Sequence, residues 1–242
     1  MEILHEATLR SFQEWSERDR AALNFYSRLI RPGKLCFDIG ANHGNRTKVF
    51  KKLGARVIAV EPQRDCAAFL RQAFRGDSSV TVIESACSDY QGRAQIRIAT
   101  YDTVSSLSAD WISAVTTTGR FGPIEWNRAA DVEVTTLDSL IRAYGAPAFI
   151  KIDVEGSEAE VLKGLTKPVR CLSFEFTPEY LGAARECIRY LTRLGFRRFN
   201  FSPEESMRLA SRTWLKPDQI VERLEAYRGN AKFFGDVYAR FV

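Results

Sequence analysis

Short apolar runs alternate with helix-like segments in the first third of the chain, and this rhythm restricts the fold more than any other feature. The apolar runs are residues 34–40, 55–62 and 80–85, and the segments between them are residues 46–53 and 65–74. Consecutive strand–helix–strand units of this length form a parallel sheet with helices on both faces. The sequence therefore predicts an α/β fold.

The same alternation resumes in the second half of the chain. Strands are predicted over residues 147–156, 171–176, 197–201 and 235–242, with helices over residues 157–165 and 183–194. Residues 92–100 read as an extra strand. Apolar residues at helical spacing over residues 5–30 predict a helical region, which Pro32-Gly33 ends. We therefore expect an N-terminal helical extension over residues 1–33 and one Rossmann-like domain over residues 34–242.

Two segments depart from the alternation. Residues 101–131 are rich in Ser, Thr and Gly, with a few aromatic residues among them. A long stretch without regular pattern inside a domain is typical of a functional loop, so we predict a substrate-side loop here. Residues 203–230 are polar with a mainly helical pattern, and they predict a helical insertion.

Composition limits the class of protein. No apolar run approaches the roughly 18–20 residues that a membrane span requires, and the polar N-terminus is unlike a secretory signal. The five cysteines show no spacing typical of a structural zinc site or a disulfide framework. The net charge of +5 is not concentrated in one block, which argues against nucleic acid as a partner. A cytoplasmic protein is expected.

The first predicted strand ends in the turn Asp38-Ile39-Gly40-Ala41-Asn42-His43-Gly44. Two glycines four residues apart allow a sharp turn and a close approach of the backbone to a ligand. The helix that follows directs free N–H groups towards that ligand. The turn therefore predicts a cofactor site at the carboxyl end of the strand.

The residues of this turn discriminate between cofactors. A dinucleotide site would have a second glycine where Asn42 stands, and Asp38 would repel a pyrophosphate. A carboxylate suits instead the ammonium and sulfonium groups of S-adenosylmethionine. Glu61 ends the second strand, where an acid accepts hydrogen bonds from ribose hydroxyls. The alternatives are that Asn42 is a helix N-cap and that Glu61 is a surface acid.

Acidic residues follow the fourth strand, in the segment Lys151-Ile152-Asp153-Val154-Glu155-Gly156 and in Glu158. We predict that Asp153, Glu155 and Glu158 lie close together, either to act as a base or to bind a divalent cation such as Mg²⁺ through Asp153 and Glu155. Glu175 is a weaker member of the group. The alternative is that Glu158 is a favourable acid in the first turn of a helix and that Lys151 merely pairs with a neighbouring acid.

His43 lies inside the cofactor turn. A histidine beside a reacting centre is a natural candidate for a base. It occupies an unspecified position of the turn, however, and the sequence favours a packing role for its ring.

These segments resemble the FkbM family of methyltransferases. The matching stretches are FDIGANHGNRT (37–47), VIAVEP (57–62), ESACSDYQG (84–92), SSL (105–107), TLDSL (136–140), FIKIDVEGSEAEVLKG (149–164), FEF (174–176) and GDVYAR (235–240). The resemblance covers residues 34–242. It implies a Rossmann-like class I methyltransferase fold, in which a seven-stranded, mostly parallel sheet has helices on both faces and an antiparallel final strand.

The resemblance also implies an activity and a site. It implies S-adenosylmethionine-dependent O-methylation of a hydroxyl on a sugar, lipid or secondary metabolite, so the partner is a small-molecule or glycan acceptor. Carried over to this chain, the cofactor-binding residues are Asp38, Gly40, Ala41, Asn42, Gly44, Glu61, Pro62, Ser85, Ala86 and Asp153.

Other classes are weighed against this interpretation. A nicotinamide-dependent oxidoreductase is disfavoured by Asn42 and Asp38. A nucleic-acid-modifying methyltransferase is suggested by the pI near 9.0, but no NPPY-like strand end replaces the acidic segment. A cofactor-binding scaffold without activity would not need the acids.

If Phe12 and Trp15 are exposed, the N-terminal helices offer a surface for a homodimer.

Overall fold

The structure is a computed structural model that describes residue 9 and residues 12–241. Its described strands are β1 (Leu35–Ile39), β2 (Arg56–Val60), β3 (Val80–Ile83), β4 (Ala86–Cys87), β5 (Gly92–Ile98), β6 (Arg128–Thr135), β7 (Phe149–Ile152), β8 (Cys171–Phe176), β9 (Phe196–Pro203) and β10 (Gly235–Phe241). Its helices are α1 (Glu17–Tyr26), α2 (Asn45–Lys52), α3 (Arg64–Ala73), α4 (Ala109–Thr118), α5 (Leu137–Tyr144), α6 (Glu158–Lys163), α7 (Leu181–Arg193) and α8 (Pro217–Glu225).

Seven of the strands form one sheet, in the order β3-β2-β1-β7-β8-β10-β9. All neighbours are parallel except β10, which runs antiparallel to both β8 and β9. The predicted seven-stranded, mostly parallel sheet with an antiparallel final strand is therefore confirmed. The remaining strands form a small separate sheet in the order β4-β6-β5.

Both faces of the large sheet are covered. Successive side chains of a strand point to opposite faces, and the buried residues of β1 divide accordingly. Leu35, Phe37 and Ile39 belong to a cluster that includes residues of α5, α6, α7 and α8. Cys36 belongs to a second cluster, to which α1 and α2 contribute. The core thus consists of two layers, one on each side of the strands.

The N-terminal helix α1 is part of this second layer. Ser16 begins the helix, since its Oγ accepts a hydrogen bond from the Asp19 N–H while Asp19 Oδ2 accepts one from the Ser16 N–H. Tyr26 near its end is fully buried and contacts the ring of Phe50 at a centroid distance of 5.0 Å. The predicted helical region over residues 5–30 is helical over Glu17–Tyr26. Residues 5–8, 10 and 11 lie outside the described residues.

Residues 101–131 contain more regular structure than the sequence predicts. A 3-10 turn covers Asp102–Val104, and α4 follows it. Ser108 Oγ accepts a hydrogen bond from the Trp111 N–H at 3.1 Å and begins α4, while Gly119 ends it with a φ of 67°. The helix is rich in Ser and Thr, which are weak helix formers, so packing of its buried Trp111 supplies the stability that propensity does not.

Residues 203–230 are less helical than the sequence predicts. Only Pro217–Glu225 forms a helix, and Pro217 occupies its first position. The chain before it runs along β9, where Leu215 pairs with Phe199 as an isolated bridge. Asn200 on β9 donates to the carbonyl oxygen of Ser211 at 2.8 Å. Backbone groups of Ser211 and Leu215 are therefore hydrogen-bonded to β9 instead of to a helix.

No helix in the described part of the chain has both the length and the apolar character that crossing a membrane requires.

The burial of Tyr26 predicts that α1 contributes to the stability of the whole sheet. We expect Tyr26→Ala to lower the free energy of unfolding by about 3–5 kcal/mol, the range for removal of a large buried aromatic side chain. Urea unfolding followed by circular dichroism measures this. The matched control is Tyr90→Ala, because Tyr90 is 45% exposed, and its effect is expected to be within about 0.5 kcal/mol. Equal effects of the two substitutions would contradict a structural role for α1.

Candidate active site

The candidate site lies where the carboxyl ends of β1 and β7 meet. The order of strands reverses between them, since β2 and β3 lie beyond β1 on one side and β8 lies beyond β7 on the other. Ligands of open parallel sheets bind at such a point. A cavity of about 960 Å³ opens there, and the segments that follow both strands line it.

The turn after β1 has the backbone conformation that its glycines allow. Gly40 and Gly44 have φ values of 80° and 82°, and Asn42 between them has a φ of 47°. A Cβ atom on Gly40 would lie 1.8 Å from the carbonyl oxygen of Asp153, so only glycine allows this contact. Gly44, not Asn42, is the N-cap residue of α2, and the N-cap alternative for Asn42 is therefore wrong. Gly44 begins the helix but does not line the cavity.

Glu61 follows β2 and is 2% exposed. Its Oε2 accepts a hydrogen bond from the Asn42 N–H at 2.8 Å, and its Oε1 accepts one from the Gln63 N–H at 2.8 Å. The alternative that Glu61 is a surface acid is therefore wrong. Burial raises the pKa of Glu61 to about 7, against the lowering effect of these hydrogen bonds. Its remaining lone pairs are available to hydroxyl donors of a ligand.

Asp38 lies at the end of β1 and is also buried. Its Oδ2 accepts a hydrogen bond from Thr47 Oγ1 at 2.6 Å. Burial raises the pKa of Asp38, and the hydrogen bond from Thr47 opposes that shift. Asp38 lines the cavity beside Gly40, Ala41 and Asn42. The structure thus brings the residues of the turn to the wall where the sequence analysis expects the cofactor.

Pro62, Ser85 and Ala86 complete this side of the cavity. The Ser85 hydroxyl lies 2.9 Å from the carbonyl oxygens of Ala86 and Glu133. Its proton is therefore used within the protein, where it ties the end of β3 to the small sheet. Ala86 adds a small apolar surface beside Glu61.

Three carboxylates meet at the other side of the cavity, but they are not the three that the sequence analysis names first. One carboxylate oxygen from each of Asp153, Glu155 and Glu175 lies within 4.8 Å of the other two, and all three residues line the cavity. The sequence analysis ranks Glu175 below Glu158. Glu175 joins the group because β8, which carries it, lies next to β7 in the sheet.

Burial and mutual repulsion keep protons on this acid cluster. Burial raises the pKa of Glu155 well above its ordinary value, and the charges of Asp153 and Glu158 raise it further. Burial likewise raises the pKa of Glu175, together with the charges of Asp153 and Glu155. Carboxyl groups this close titrate as a unit, so a proton taken up by Glu155 or Glu175 belongs to the pair and not to either residue alone.

Lys151 supplies a buried positive charge next to the acid cluster. Its Nζ donates to Asp153 Oδ2 at 3.0 Å and to Asp236 Oδ1 at 2.8 Å. Burial lowers the pKa of Lys151, but the two carboxylates outweigh it, and the pKa lies well above its ordinary value. Lys151 therefore stays charged between the two carboxylates. Pairing of Lys151 with a neighbouring acid, the alternative drawn from the sequence, holds for Asp153, while its second partner, Asp236, lies 85 residues away on β10.

Glu158 does not line the cavity. Its Oε1 accepts hydrogen bonds from the Val154 and Gly156 N–H groups at 3.1 and 3.2 Å. Side chains of a helix lean towards its N-terminus, so Glu158 points back at the loop from the first turn of α6. Burial raises the pKa of Glu158 to about 7. The structure thus places Glu158 against the backbone of residues 153–157, here called the acid loop, instead of beside the other two predicted catalytic acids.

The segment over residues 101–131 is joined to both halves of the site. Ser105 Oγ donates to Gln63 Oε1 at 2.9 Å, next to the cofactor turn. Ser106 Oγ donates to the carbonyl oxygen of Glu155 at 2.5 Å, in the acid loop. The two serines therefore connect the cofactor half of the cavity to the acid half.

Trp111 packs directly on the acid loop. A Cβ atom on Gly156 would lie 2.2 Å from Trp111 Cβ, and Gly156 has a φ of 95°, so both space and conformation require glycine there. The Trp111 ring contacts Trp126 edge to face at a centroid distance of 6.4 Å. The aromatic residues of this segment thus cover the loop that carries the acids.

Arg46 and Glu205 also line the cavity, and no role was predicted for them from the sequence. Arg46 donates from Nη2 to Glu205 Oε1 at 2.9 Å, and both residues line the cavity. The buried Nε of Arg46 has no hydrogen-bond partner among the described residues. An unsatisfied buried donor carries a free-energy cost that a bound acceptor atom relieves. Arg46 is the only arginine in the motif FDIGANHGNRT (37–47), and this position is the sequence feature from which a role at the site could have been predicted.

Phe12 and Trp15 also line the cavity, and contacts within the same chain cover part of each ring. Phe12 contacts Phe69 and Phe74 edge to face at centroid distances of 5.5 and 5.7 Å. The Lys48 ammonium group lies 5.2 Å from the centroid of the Trp15 ring. Both side chains are half-buried, and the homodimer stays a prediction.

His43 lines the cavity as well. Its Nδ1 lies 2.7 Å from Asn42 Oδ1, and its ring contacts Phe69 edge to face at a centroid distance of 5.0 Å. These contacts give the ring the packing partners that the sequence analysis favours.

Searches against known proteins give the following matches. The family profile described as the methyltransferase FkbM domain matches residues 38–198. A search by sequence among proteins of curated function finds no match.

Solved structures with a similar course of the chain include three methyltransferases or proteins so described. A precorrin-6y C5,15-methyltransferase from Geobacter metallireducens is 11% identical, with 92% of this chain and 87% of that chain covered and a TM-score of 0.48. A candidate RNA methyltransferase from Pyrococcus horikoshii is 10% identical, with coverages of 93% and 84% and a TM-score of 0.46. An S-adenosylmethionine-dependent O-methyltransferase from Thermotoga maritima is 12% identical, with coverages of 95% and 67% and a TM-score of 0.45.

The stretch that matches the family profile spans more than half of the chain. It contains the cofactor turn, Glu61, the acid loop and Glu175. These residues lie around one cavity at the place where the fold binds ligands. The chain belongs to the FkbM family of S-adenosylmethionine-dependent methyltransferases.

Proposed function

We propose that the protein methylates a hydroxyl group of a small-molecule or glycan acceptor and that the Asp153–Glu155–Glu175 cluster takes up the hydroxyl proton. The observation that supports this most directly is a single cavity with Glu61 and the cofactor turn on one side and three coupled carboxylates on the other. A ligand held by the turn and an acceptor held beside the acids would then be in contact.

The residues of the cofactor side fit S-adenosylmethionine. Glu61, with two amide hydrogen bonds already made, has lone pairs left for both ribose hydroxyls. Asp38 and Asp153 place negative charge where the ammonium and sulfonium groups would lie. Ser85 and Ala86 would lie beside the adenine. When bound, the cofactor supplies a methyl group on a good leaving group, so the protein has mainly to position the acceptor and remove its proton.

The acid cluster is suited to removing that proton. A hydroxyl is a poor nucleophile until it is deprotonated, and a base works best when its pKa lies near the working pH. The pKa values of Glu155 and Glu175 are both raised by burial and by the charge of Asp153. A pair that shares one proton has one carboxylate free to accept another. Lys151 donates to Asp153 beside them, and its positive charge limits the repulsion within the cluster.

The rest of the wall fits a polyhydroxylated acceptor better than a nucleic acid. Trp15 offers an aromatic face, and Arg46 has a free buried donor beside Glu205. Nucleic acid is bound mainly through cations that neutralise its phosphates. The cations of this wall are already balanced by acids, since Lys48 pairs with Asp19 and Arg46 with Glu205, and Glu14 lies near Arg18 in the sequence. We therefore favour the hydroxyl of a sugar, a lipid or a secondary metabolite over nucleic acid as the methyl acceptor.

The acid cluster predicts the effect of a single amide substitution. We expect Glu155→Gln to lower methyl transfer to a hydroxyl acceptor by about 10²–10⁴-fold, the usual contribution of a general base. Affinity for S-adenosylhomocysteine should stay within a few-fold, since Glu155 is not a cofactor contact in the proposal. Transfer of a radiolabelled methyl group to a panel of sugars, lipids and polyols measures the first quantity, and calorimetry measures the second.

The matched control for this substitution is Glu160→Gln. Glu160 lies two residues beyond Glu158 in the same helix, and its side chain is 45% exposed. It should transfer methyl groups at the wild-type rate. Wild-type activity in Glu155→Gln would rule out Glu155 as the base, and loss of activity in both variants would point to damage of α6.

The raised pKa of Glu61 predicts that cofactor affinity depends on pH. Because the ionised carboxylate accepts hydrogen bonds from the ribose and the protonated form accepts fewer, affinity should fall as pH decreases through about 7. The loss should approach about tenfold per pH unit below the pKa. Calorimetric titration with S-adenosylhomocysteine over a pH series measures it.

Two variants identify the titrating residue. Glu61→Gln should bind more weakly and with little dependence on pH. Glu158→Gln is the control, because the pKa of Glu158 is raised to a similar value but its side chain does not line the cavity. This variant should keep the wild-type pH profile. A pH-dependent profile that persists in Glu61→Gln and disappears in Glu158→Gln would reverse the assignment.

A chelator distinguishes the proton-accepting cluster from a magnesium site at the same oxygens. The oxygens of Asp153 and Glu155 are suitable ligands for Mg²⁺. The positive charge of Lys151 and the shared proton already compensate the negative charge of the acid cluster. We therefore expect methyl transfer to stay within about twofold of its original rate after treatment with EDTA. Loss of activity that returns on addition of Mg²⁺ would replace the base by a metal-assisted reaction.

A further inference from the structure

A second group of metal-ligating side chains lies apart from the acid cluster. His43 Nε2 lies 3.5 Å from Asp102 Oδ2, and Cys66 Sγ lies 3.7 Å from the same oxygen. One ligand atom from each of the three residues lies within 4.8 Å of the other two. The residues come from the cofactor turn, from α3 and from the 3-10 turn that opens the segment over residues 101–131. Three chain segments that are distant in sequence therefore converge on one small space.

The spacing of these atoms matches a tetrahedral site. In zinc sites the bonds to nitrogen, oxygen and sulfur are about 2.0–2.3 Å long, which places neighbouring ligand atoms about 3.3–3.7 Å apart. The two measured distances, 3.5 and 3.7 Å, fall in that range. An ion would therefore need little rearrangement of the side chains.

The orientation of the His43 ring is an independent observation. Asn42 Oδ1 accepts a hydrogen bond from the His43 backbone N–H at 2.8 Å, which establishes that the oxygen of this amide faces His43. The same oxygen lies 2.7 Å from His43 Nδ1, so Nδ1 carries the hydrogen. In the neutral ring Nε2 then presents its lone pair to Asp102 and Cys66. Histidine ligands are typically oriented in this way, by a hydrogen bond from the other ring nitrogen to an oxygen.

We propose that His43, Cys66 and Asp102 bind a transition-metal ion of the zinc class. The lone pair of His43 Nε2 faces a carboxylate, and a cation between the two removes their repulsion. Nitrogen and sulfur ligands select Zn²⁺ or Co²⁺ over Mg²⁺ and Ca²⁺. Cys66 would bind as a thiolate, its proton passing to solvent, and the thiolate and the Asp102 carboxylate together balance the charge of a divalent ion.

The site has a route to solvent. Cys66 is itself buried, but it and Asp102 line a second cavity of about 1140 Å³ on the far side of Gln63. Asp102 lines the cofactor cavity as well. An ion entering from the second cavity would meet the three ligands and keep a fourth position for water.

The site would have a consequence for the cofactor cavity. Asp102 lies at the start of the segment that covers the acid loop, and His43 belongs to the cofactor turn. A shared ion would add a strong link to the hydrogen bond that Gln63 Nε2 donates to the Asp102 carbonyl oxygen at 2.9 Å. The bound ion would hold the segment closed, so S-adenosylhomocysteine should leave more slowly in its presence.

Titration of the full-length protein with Co²⁺ tests the proposal without any assay of activity. Cobalt bound by a thiolate in tetrahedral geometry gives an intense charge-transfer absorption in the near ultraviolet together with visible bands, and Zn²⁺ should displace it. We expect this spectrum at one equivalent of Co²⁺. Stopped-flow release of S-adenosylhomocysteine, with and without Zn²⁺, measures the effect on the cavity.

Variants assign the ligands. Cys66→Ala should abolish the charge-transfer band, and His43→Gln should weaken Co²⁺ binding by at least about tenfold. Cys187→Ala is the matched control, since it removes an equally buried thiol from α7, and it should keep the full spectrum. Circular dichroism checks that each variant is folded. Glu155→Gln should also keep the spectrum, which separates this site from the acid cluster.

Two results would overturn the proposal. The first is the absence of a charge-transfer band at millimolar Co²⁺ in the folded wild-type protein. The second is Co²⁺ binding that is unchanged in Cys66→Ala and lost in Glu155→Gln, because the ion would then occupy the acid cluster.

Discussion

The contact between Gly40 and the carbonyl oxygen of Asp153 determines the geometry of the whole site. Because β1 and β7 are parallel neighbours, the turns that leave them start side by side, and the missing side chain of Gly40 lets their backbones touch. One turn is tied to Glu61 through the Asn42 N–H, and the other carries Asp153 and Glu155. Cofactor side and acid side are therefore adjacent through the backbone itself, and any side chain at position 40 would separate them.

This proximity concentrates negative charge in a buried place, and the fold compensates it from a distance. Lys151 lies between Asp153 and Asp236, and Tyr238 donates from its hydroxyl to Asp236 at 3.5 Å. The Tyr238 hydroxyl is in turn 3.3 Å from that of Tyr26. A buried ion pair is stable only when its other polar atoms are satisfied. The N-terminal helix therefore supports the acid cluster through Tyr26, although it lies outside the matched family stretch.

Periodicity and local motifs made the sheet and the cofactor turn predictable, because both depend on residues close together in sequence. The acid cluster was predicted only in part. Glu175 belongs to the cluster and Glu158 does not, contrary to the predicted ranking. Which acids meet depends on which strands are neighbours in the sheet and on the direction in which a residue in the first turn of a helix points. Asp236 was not predicted as a partner of Lys151 for the same reason, since it lies on a strand that is distant in the sequence. The helix α4 was missed because packing of Trp111, rather than the propensity of its Ser and Thr residues, stabilises it.

The cavity wall comes from two parts of the chain, one inside and one outside the stretch that the family profile matches. Glu61, Asp153, Glu155 and Glu175 all lie within residues 38–198. Phe12, Trp15 and Glu205, which line another part of the wall, lie outside that stretch, in segments that are not part of the sheet. Segments held outside a rigid sheet tolerate change without cost to its core. Glu61 and the acid cluster are thus carried by segments that leave the strands of the sheet, while another part of the cavity wall comes from flanking segments outside the matched stretch.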